Sequence, residues 1–176
     1  MTTSDESWNR RLETARLELV PLGPHHADEM VSVLADVRLY HFTGGEPPAL
    51  EDLRRRYEGW ASRVAPDGTE RWLNWIIRRR VDALALGTVQ ATVVTDGGRV
   101  IADVGWIVGT EYQGQGYASE SAKALLEWLF DCGVEEIRAH VHPGHAASAR
   151  VASKIGMEPT GEWLSGERRW SCSRQP

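Results

Sequence analysis

One stretch of the chain constrains its fold more than any other: Val104-Gly-Trp-Ile-Val-Gly-Thr-Glu-Tyr-Gln-Gly-Gln-Gly-Tyr-Ala-Ser-Glu120. Its first residues read as a strand, and the residues after Gly116 carry apolar side chains at steps of three and four, as a helix does. A strand therefore passes through a short loop with Gly114 and Gly116 straight into a long helix. Glycines there let the backbone come close to a ligand and turn consecutive N–H groups outward. The helix start adds unpaired donors and the positive end of a dipole. Together these suit an anion, most naturally a phosphate or pyrophosphate. The loop has no Lys or Arg, so amides alone would hold it.

Two phosphate motifs do not fit. A P-loop needs Gly-Lys-Ser/Thr, but Tyr117-Ala118 follows Gly116. A dinucleotide fingerprint needs a third glycine, where Ser119 stands, and an early βαβ unit. Taken alone, Gly-x-Gly is equally a strand–helix turn that requires glycine.

The rest of the chain gives the setting. Residues 16–21 alternate as a short strand, and 25–34 and 49–64 are helical in spacing. Gly44-Gly45-Glu46-Pro47-Pro48 breaks the chain between those helices. Strands at 72–79, 86–95 and 100–108, with Asp96-Gly97-Gly98 as a hairpin turn, predict an antiparallel meander. Helix 117–132, strand 136–141, helix 146–155 and a hairpin over 158–164 and 167–172 complete an α+β domain. The 176 residues suffice for one core, so 1–11 reads as a polar tail and 12–176 as the domain.

A net charge of −5 argues against a nucleic-acid binder and suits a cationic or neutral small substrate. Cys132 and Cys172 read as free thiols of a reduced compartment. No apolar leader and no run near the ~18 residues of a membrane span occur, which predicts a cytoplasmic protein without membrane contact. The eight Trp residues are the compositional oddity. They can thicken a core, line a pocket, or both.

Gln113-Gly114-Gln115-Gly116-Tyr117-Ala118 matches the Gln/Arg-x-x-Gly-x-Gly/Ala motif of the GNAT superfamily of N-acetyltransferases. The chain resembles most the branch that contains the ribosomal-protein Nα-acetyltransferases. Thr14-Ala15-Arg16-Leu17-Glu18-Leu19 fits that branch's opening strand, and Asp103-Val104-Gly105-Trp106 fits the strand before the motif. Pro143-Gly144-His145-Ala146-Ala147-Ser148 and Lys154-Ile155-Gly156-Met157 follow its Pro-x-Asn-x-x-Ser and Lys-x-Gly-Phe elements with two changes. The resemblance covers residues 12–164.

It implies a mixed, splayed sheet of about seven strands with four or so helices, and acetyl-CoA in the V between two parallel strands. The amides of Gly114, Gln115, Gly116, Tyr117 and Ala118, behind Gln113, would hold the pyrophosphate. The backbone of Trp106, Ile107 and Val108 would pair with the pantetheine arm, and His145 and Ser148 would contact it from the facing loop. The implied reaction is direct attack of an amine on the thioester, without an acyl-enzyme. Many relatives carry a Tyr acid where this chain has Ala152, which leaves Ser148 to hydrogen-bond the sulfur, to cap its helix, or both. Asp103 is the candidate base, or else a solvated or salt-bridged sheet residue; Glu70 and a water chain are alternatives. His145, in place of Asn, keeps a hydrogen bond or acts as a base.

His140 and His142 share a strand face with ligand-like spacing, but no Cys or acidic cluster accompanies them, so no metal is expected. Arg54–Arg56 and Arg78–Arg80 read as solvated faces, a subset of which could reach the 3′-phosphate of CoA. Tyr40, Phe42, Trp60, Trp72, Trp75 and Trp163 fall where the family builds its acceptor site, with Glu46 and Glu70 nearby. Aromatic walls and carboxylates favour a cation, hence a small-molecule amine. The alternatives are a protein N-terminal amine and a non-catalytic acetyl-CoA sensor. A homodimer is implied by family habit alone.

Overall fold

The computed structural model describes Trp8 and residues 10–174. Strands β1 (Leu12–Glu13) and β2 (Leu17–Pro21) precede helices α1 (Ala27–Val33) and α2 (Leu50–Ala61). The meander follows as β3 (Glu70–Arg79), β4 (Ala85–Asp96) and β5 (Arg99–Val108). Then come α3 (Tyr117–Asp131), β6 (Glu136–Val141), α4 (Ala146–Lys154), β7 (Glu158–Leu164) and β8 (Glu167–Ser173). One sheet takes all eight strands in the order β1-β2-β3-β4-β5-β6-β8-β7. The α+β class and the mixed sheet are those expected; the eighth strand is β1, two residues long and too short to leave a sequence pattern.

The one parallel pair among these strands is β5 with β6, and it lasts from Ile101↔Glu136 to Asp103↔Arg138. Past that point β6 keeps β8 as its partner, and Val104–Val108 keeps β4. The two strands part at Asp103, and the sheet opens into a V.

Alternation along the strands sorts the cores. Leu73, Trp75 and Ile77 of β3 join Val104, Val108, Leu125, Leu129 and Ile137 in the core under α3. Ile76 points the other way, to Met30 of α1 and Leu53 and Tyr57 of α2. Trp75 is therefore not an acceptor wall. It is 1% exposed, packs edge-on against Trp128 at 5.2 Å, and its indole N–H donates to the Arg10 carbonyl at 2.9 Å. The alternation of β3 that buries Leu73 and Ile77 buries it as well. Trp8 meets the same Trp128 at 5.6 Å, so the packed body reaches back into the stretch read as a polar tail. Cys132 and Cys172 are unpaired, and burial pushes the Cys172 thiol up to about 11.

Trp75→Ala removes a fully buried indole and should cost about 3–5 kcal/mol. Trp163, 57% exposed, should tolerate the same change within about 0.5 kcal/mol. Denaturant unfolding of the two variants checks both values.

Candidate active site

The glycine loop leaves β5 at Gly109 and enters α3 at Tyr117. Gly114 and Gly116 have φ of +76° and +84°, the left-handed region that other residues enter only at a cost. No side chain caps α3, so its first-turn amides have no partner of their own at the exposed mouth of the loop. The Gln113 side-chain amide turns back and donates to the Val108 carbonyl at 2.9 Å, so it braces the loop.

A clamp from the far end of the chain fixes the loop's position. Thr14 Oγ1 and the Arg16 amide donate to Glu120 Oε1 at 2.6 and 2.9 Å, and Arg16 Nε donates to Oε2 at 2.7 Å. Arg16 Nη1 also donates to the Gln115 carbonyl at 3.0 Å, and its guanidinium lies 4.6 Å over the Tyr117 ring. A Cβ on Gly116 would come 3.4 Å from Arg16 Nη2. Burial favours a raised Glu120 pKa, but the bonds from Thr14 and Arg16 outweigh it and hold the carboxyl below its usual range. Glu120 did not stand out in the sequence, although the Thr-x-Arg that holds it did.

The second wall is the β6–α4 loop. His145, not Ser148, caps α4: its Nδ1 accepts from the Ser148 amide at 3.4 Å. Burial, reinforced by the charge of His142, lowers the His145 pKa, which suits an acceptor ring. Ser148 is half-buried, and its hydroxyl is not used as the cap. Ala152, where relatives place a Tyr acid, is fully buried in the core. Phe42, from the α1–α2 connection, stacks on His145 at 4.4 Å and lies 5.3 Å from His142. The α1–α2 connection thus meets the β6–α4 loop through three rings.

Asp103, Arg138 and His140 share the sheet face opposite α3, because Ala102, Ile137 and Ala139 point into the core. Arg138 is bridged to Glu136 at 2.7 Å, and Arg169 of β8 is bound to Glu162. Asp103 stands in register with Arg138 without an ion pair to it among the described residues, and His140 Nδ1 is 3.7 Å from its Oδ1. Glu70 lies two strands away and accepts from the Trp72 indole at 2.9 Å, so the structure does not bring it to the V.

The acceptor aromatics divide. Trp72 is half-buried in register with Thr92 and so with Asp103, and Trp60 lies half-buried near it in the chain. The Tyr40 hydroxyl is spent on the Leu34 carbonyl at 2.9 Å. A cavity of about 430 Å³ is lined by Val37, Arg38, Tyr40, His41, Phe42 and Gly45. Trp163 sits on the outermost strand, five strands from β3, or about 24 Å at ordinary strand spacing. It does not share a wall with Trp72. Most of the arginine runs are held in ion pairs: Arg54 with Asp28 and Glu51, Arg55 with Asp52, Arg78 with Glu29, Arg79 with Asp82 and Arg80 with Glu13, while the guanidinium of Arg56 lies 6.0 Å over the Trp60 ring.

A sheet splayed at its parallel pair, with a glycine loop leading into an uncapped helix at the opening, defines the fold of a CoA-dependent acyltransferase. Residues 16–158 match the acetyltransferase (GNAT) domain, and the chain belongs to that family. The family's enzyme class, N-acetyltransferase, and its cosubstrate, acetyl-CoA, are those the resemblance implied. The chain is 42% identical over 60 residues to the uncharacterized N-acetyltransferase YnaD of Bacillus subtilis, a match that spans 34% of this chain and 35% of that protein. It is 27% identical to the FsC-acetyl coenzyme A-N(2)-transacetylase of Aspergillus fumigatus, over 93% of this chain and 76% of that one. Among solved structures, Mycobacterium smegmatis RimJ in complex with CoA-disulfide superposes with a TM-score of 0.80 at 18% identity, covering 95% and 88% of the two chains. AAC(6′)-Ib in complex with paromomycin and acetyl-CoA gives 0.72 at 16%, covering 90% and 94%.

Glu120→Ala strands the Thr14 hydroxyl and the Arg16 amide, and should destabilise the fold by about 1–3 kcal/mol. Because the folded-state pKa of Glu120 is depressed, its contribution is present above the ordinary 4.5 and is lost as pH falls through the lower folded value. Wild type and variant should therefore converge in stability in acid, which unfolding curves between pH 7 and pH 3 would show. Retention of the full gap at the lowest pH would contradict the clamp.

Proposed function

We propose that the chain transfers the acetyl group of acetyl-CoA to the primary amine of a small molecule by direct attack in a ternary complex. The observation that carries this is the opening of the sheet at Asp103. It leaves the backbone edge of Val104–Val108 without a strand on that side among the described residues, and that edge ends at the glycine loop. An extended arm can add to this edge as a strand would, while amides of Gly114–Ala118 receive its phosphates.

The chemistry needs little more than placement. Holding two substrates in one geometry supplies a large share of the rate. Asp103 stands at the point of the V and takes one proton from the incoming ammonium. The nitrogen lone pair then forms the C–N bond, and the C–S bond breaks with its electron pair going to sulfur. The nitrogen sheds a second proton, and the thiolate gains one; the Ser148 hydroxyl on α4 is the hydrogen-bond donor proposed for that sulfur.

A small acceptor is supported by the way Phe42 closes against His142 and His145 at the end of β6. Half-buried Trp72 in register with Asp103 supplies an apolar face for a cation. Free-thiol release from acetyl-CoA, measured with a panel of small amines and of peptides with free N-termini, tests the reading. Turnover with small amines at least 10-fold above peptides is expected. The reverse order would transfer the reading to protein N-termini, and binding of acetyl-CoA without amine-dependent release would make the chain a sensor. Asp103→Asn should lower kcat at least 100-fold at pH 7, in keeping with loss of a general base.

A further inference from the structure

Three side chains on neighbouring strands of the open face keep polar atoms that no group among the described residues satisfies. Asp103 Oδ1, His140 Nε2 and the Nε of Arg169 are buried without a hydrogen-bond partner, and the first two residues stand against each other. Such atoms are uncommon, and their cost is tolerated where a ligand or a reaction completes them. The two residues stand on the strands that part: Asp103 is the last residue of β5 paired to β6, and His140 lies two residues past its register partner Arg138. His140 Nδ1 is 3.7 Å from Asp103 Oδ1, beyond a hydrogen bond but within reach of a small ring movement. The Asp103 side chain is 43% exposed and that of His140 17%. The carboxylate therefore faces the open site, and the imidazole stands behind it.

We propose that His140 is a positioning residue for Asp103: its Nδ1–H closes onto Oδ1 when the acceptor binds and leaves Oδ2 to take the proton from the ammonium. The inference rests on the acetyl-transfer reading above, in which Asp103 is the base. Buried Nε2 keeps the imidazole from the acceptor, so His140 works through Asp103. One proton moves from nitrogen to Oδ2, the nitrogen keeps its electron pair, and no other reactant is needed.

The charged neighbours of the couple are already paired with each other. On β6, Arg138 is bonded to Glu136. On β8, Arg169, the register partner of His140, is bound to Glu162 of β7. On β4, Asp103 faces Thr92, which carries no charge. At the end of β6, His142 lies under Phe42, whose neighbour His41 completes that ring cluster, and His145 caps α4. His140 is the group on β6 whose ring nitrogen stands against the base, and its one N–H at Nδ1 is the donor the couple needs.

The test is kcat, with KM for acetyl-CoA, for wild type, His140→Leu, His140→Asn and Asp103→Asn, using an amine that turns over. His140→Leu should lose at least 10-fold in kcat with KM for acetyl-CoA within twofold. His140→Asn, which keeps a side-chain donor, should recover at least half of the wild-type kcat. If His140→Leu and His140→Asn lose kcat equally, or lose nothing, the inference is overturned. Asp103→Asn separates the two readings: full activity in that variant overturns the base itself. An inactive Asp103→Asn beside a fully active His140→Leu overturns the role of His140 alone.

Discussion

β5 and β6 can share hydrogen bonds for three residues and no further, and the site follows from that limit. β8 takes the edge of β6 from Glu136 to Val141, and β4 takes one edge of β5, so the other edge of Val104–Val108 is left open. An unpaired strand edge inside a sheet invites an extended partner. What keeps this one specific is the glycine loop at its end, where exposed amides and a helix start favour a phosphate. The loop in turn is held by Glu120, which collects three donors from Thr14 and Arg16. The first strands of the chain therefore set the geometry of a site built from its middle.

Charge is distributed with the same economy. Most arginines pair with a neighbouring carboxylate and add little to stability, as exposed ion pairs do. On the face opposite α3, Asp103 lies in register with Arg138, which is bonded to Glu136, and His140 Nδ1 stands 3.7 Å from its Oδ1. The aromatic residues divide in a related way. Trp8, Trp75 and Trp128 build the core, Trp72 borders the acceptor face, and Trp163 lies outside it.

Most of the architecture was legible in the chain. Period, turn residues and glycines placed the helices and the larger strands within three residues, because those signals are local. β1 escaped because two residues carry no period. Trp75 was misassigned because a family's acceptor region was given precedence over alternation, and Leu73-x-Trp75-x-Ile77 already put the indole on the core side. The turn from β5 into α3 was readable from Gly114 and Gly116, whose φ values are indeed left-handed. The clamp was not, since Arg16 and Glu120 are 104 residues apart and nothing local joins them. His145 at the Asn position was readable as a retained contact. The structure shows the contact it makes within the protein, a cap on α4 under Phe42, which depends on a loop a hundred residues earlier in the chain.

The central claim is that acetyl-CoA lies in the V, with its arm along β5 and its phosphates on the loop. Backbone amide spectra recorded while acetyl-CoA is titrated in test it most directly. Saturable shifts largest at Val104–Val108 and Gly114–Ala118, with β1, β2 and β7 unmoved, are the predicted result. Saturable shifts centred elsewhere, or none at millimolar acetyl-CoA, would contradict it.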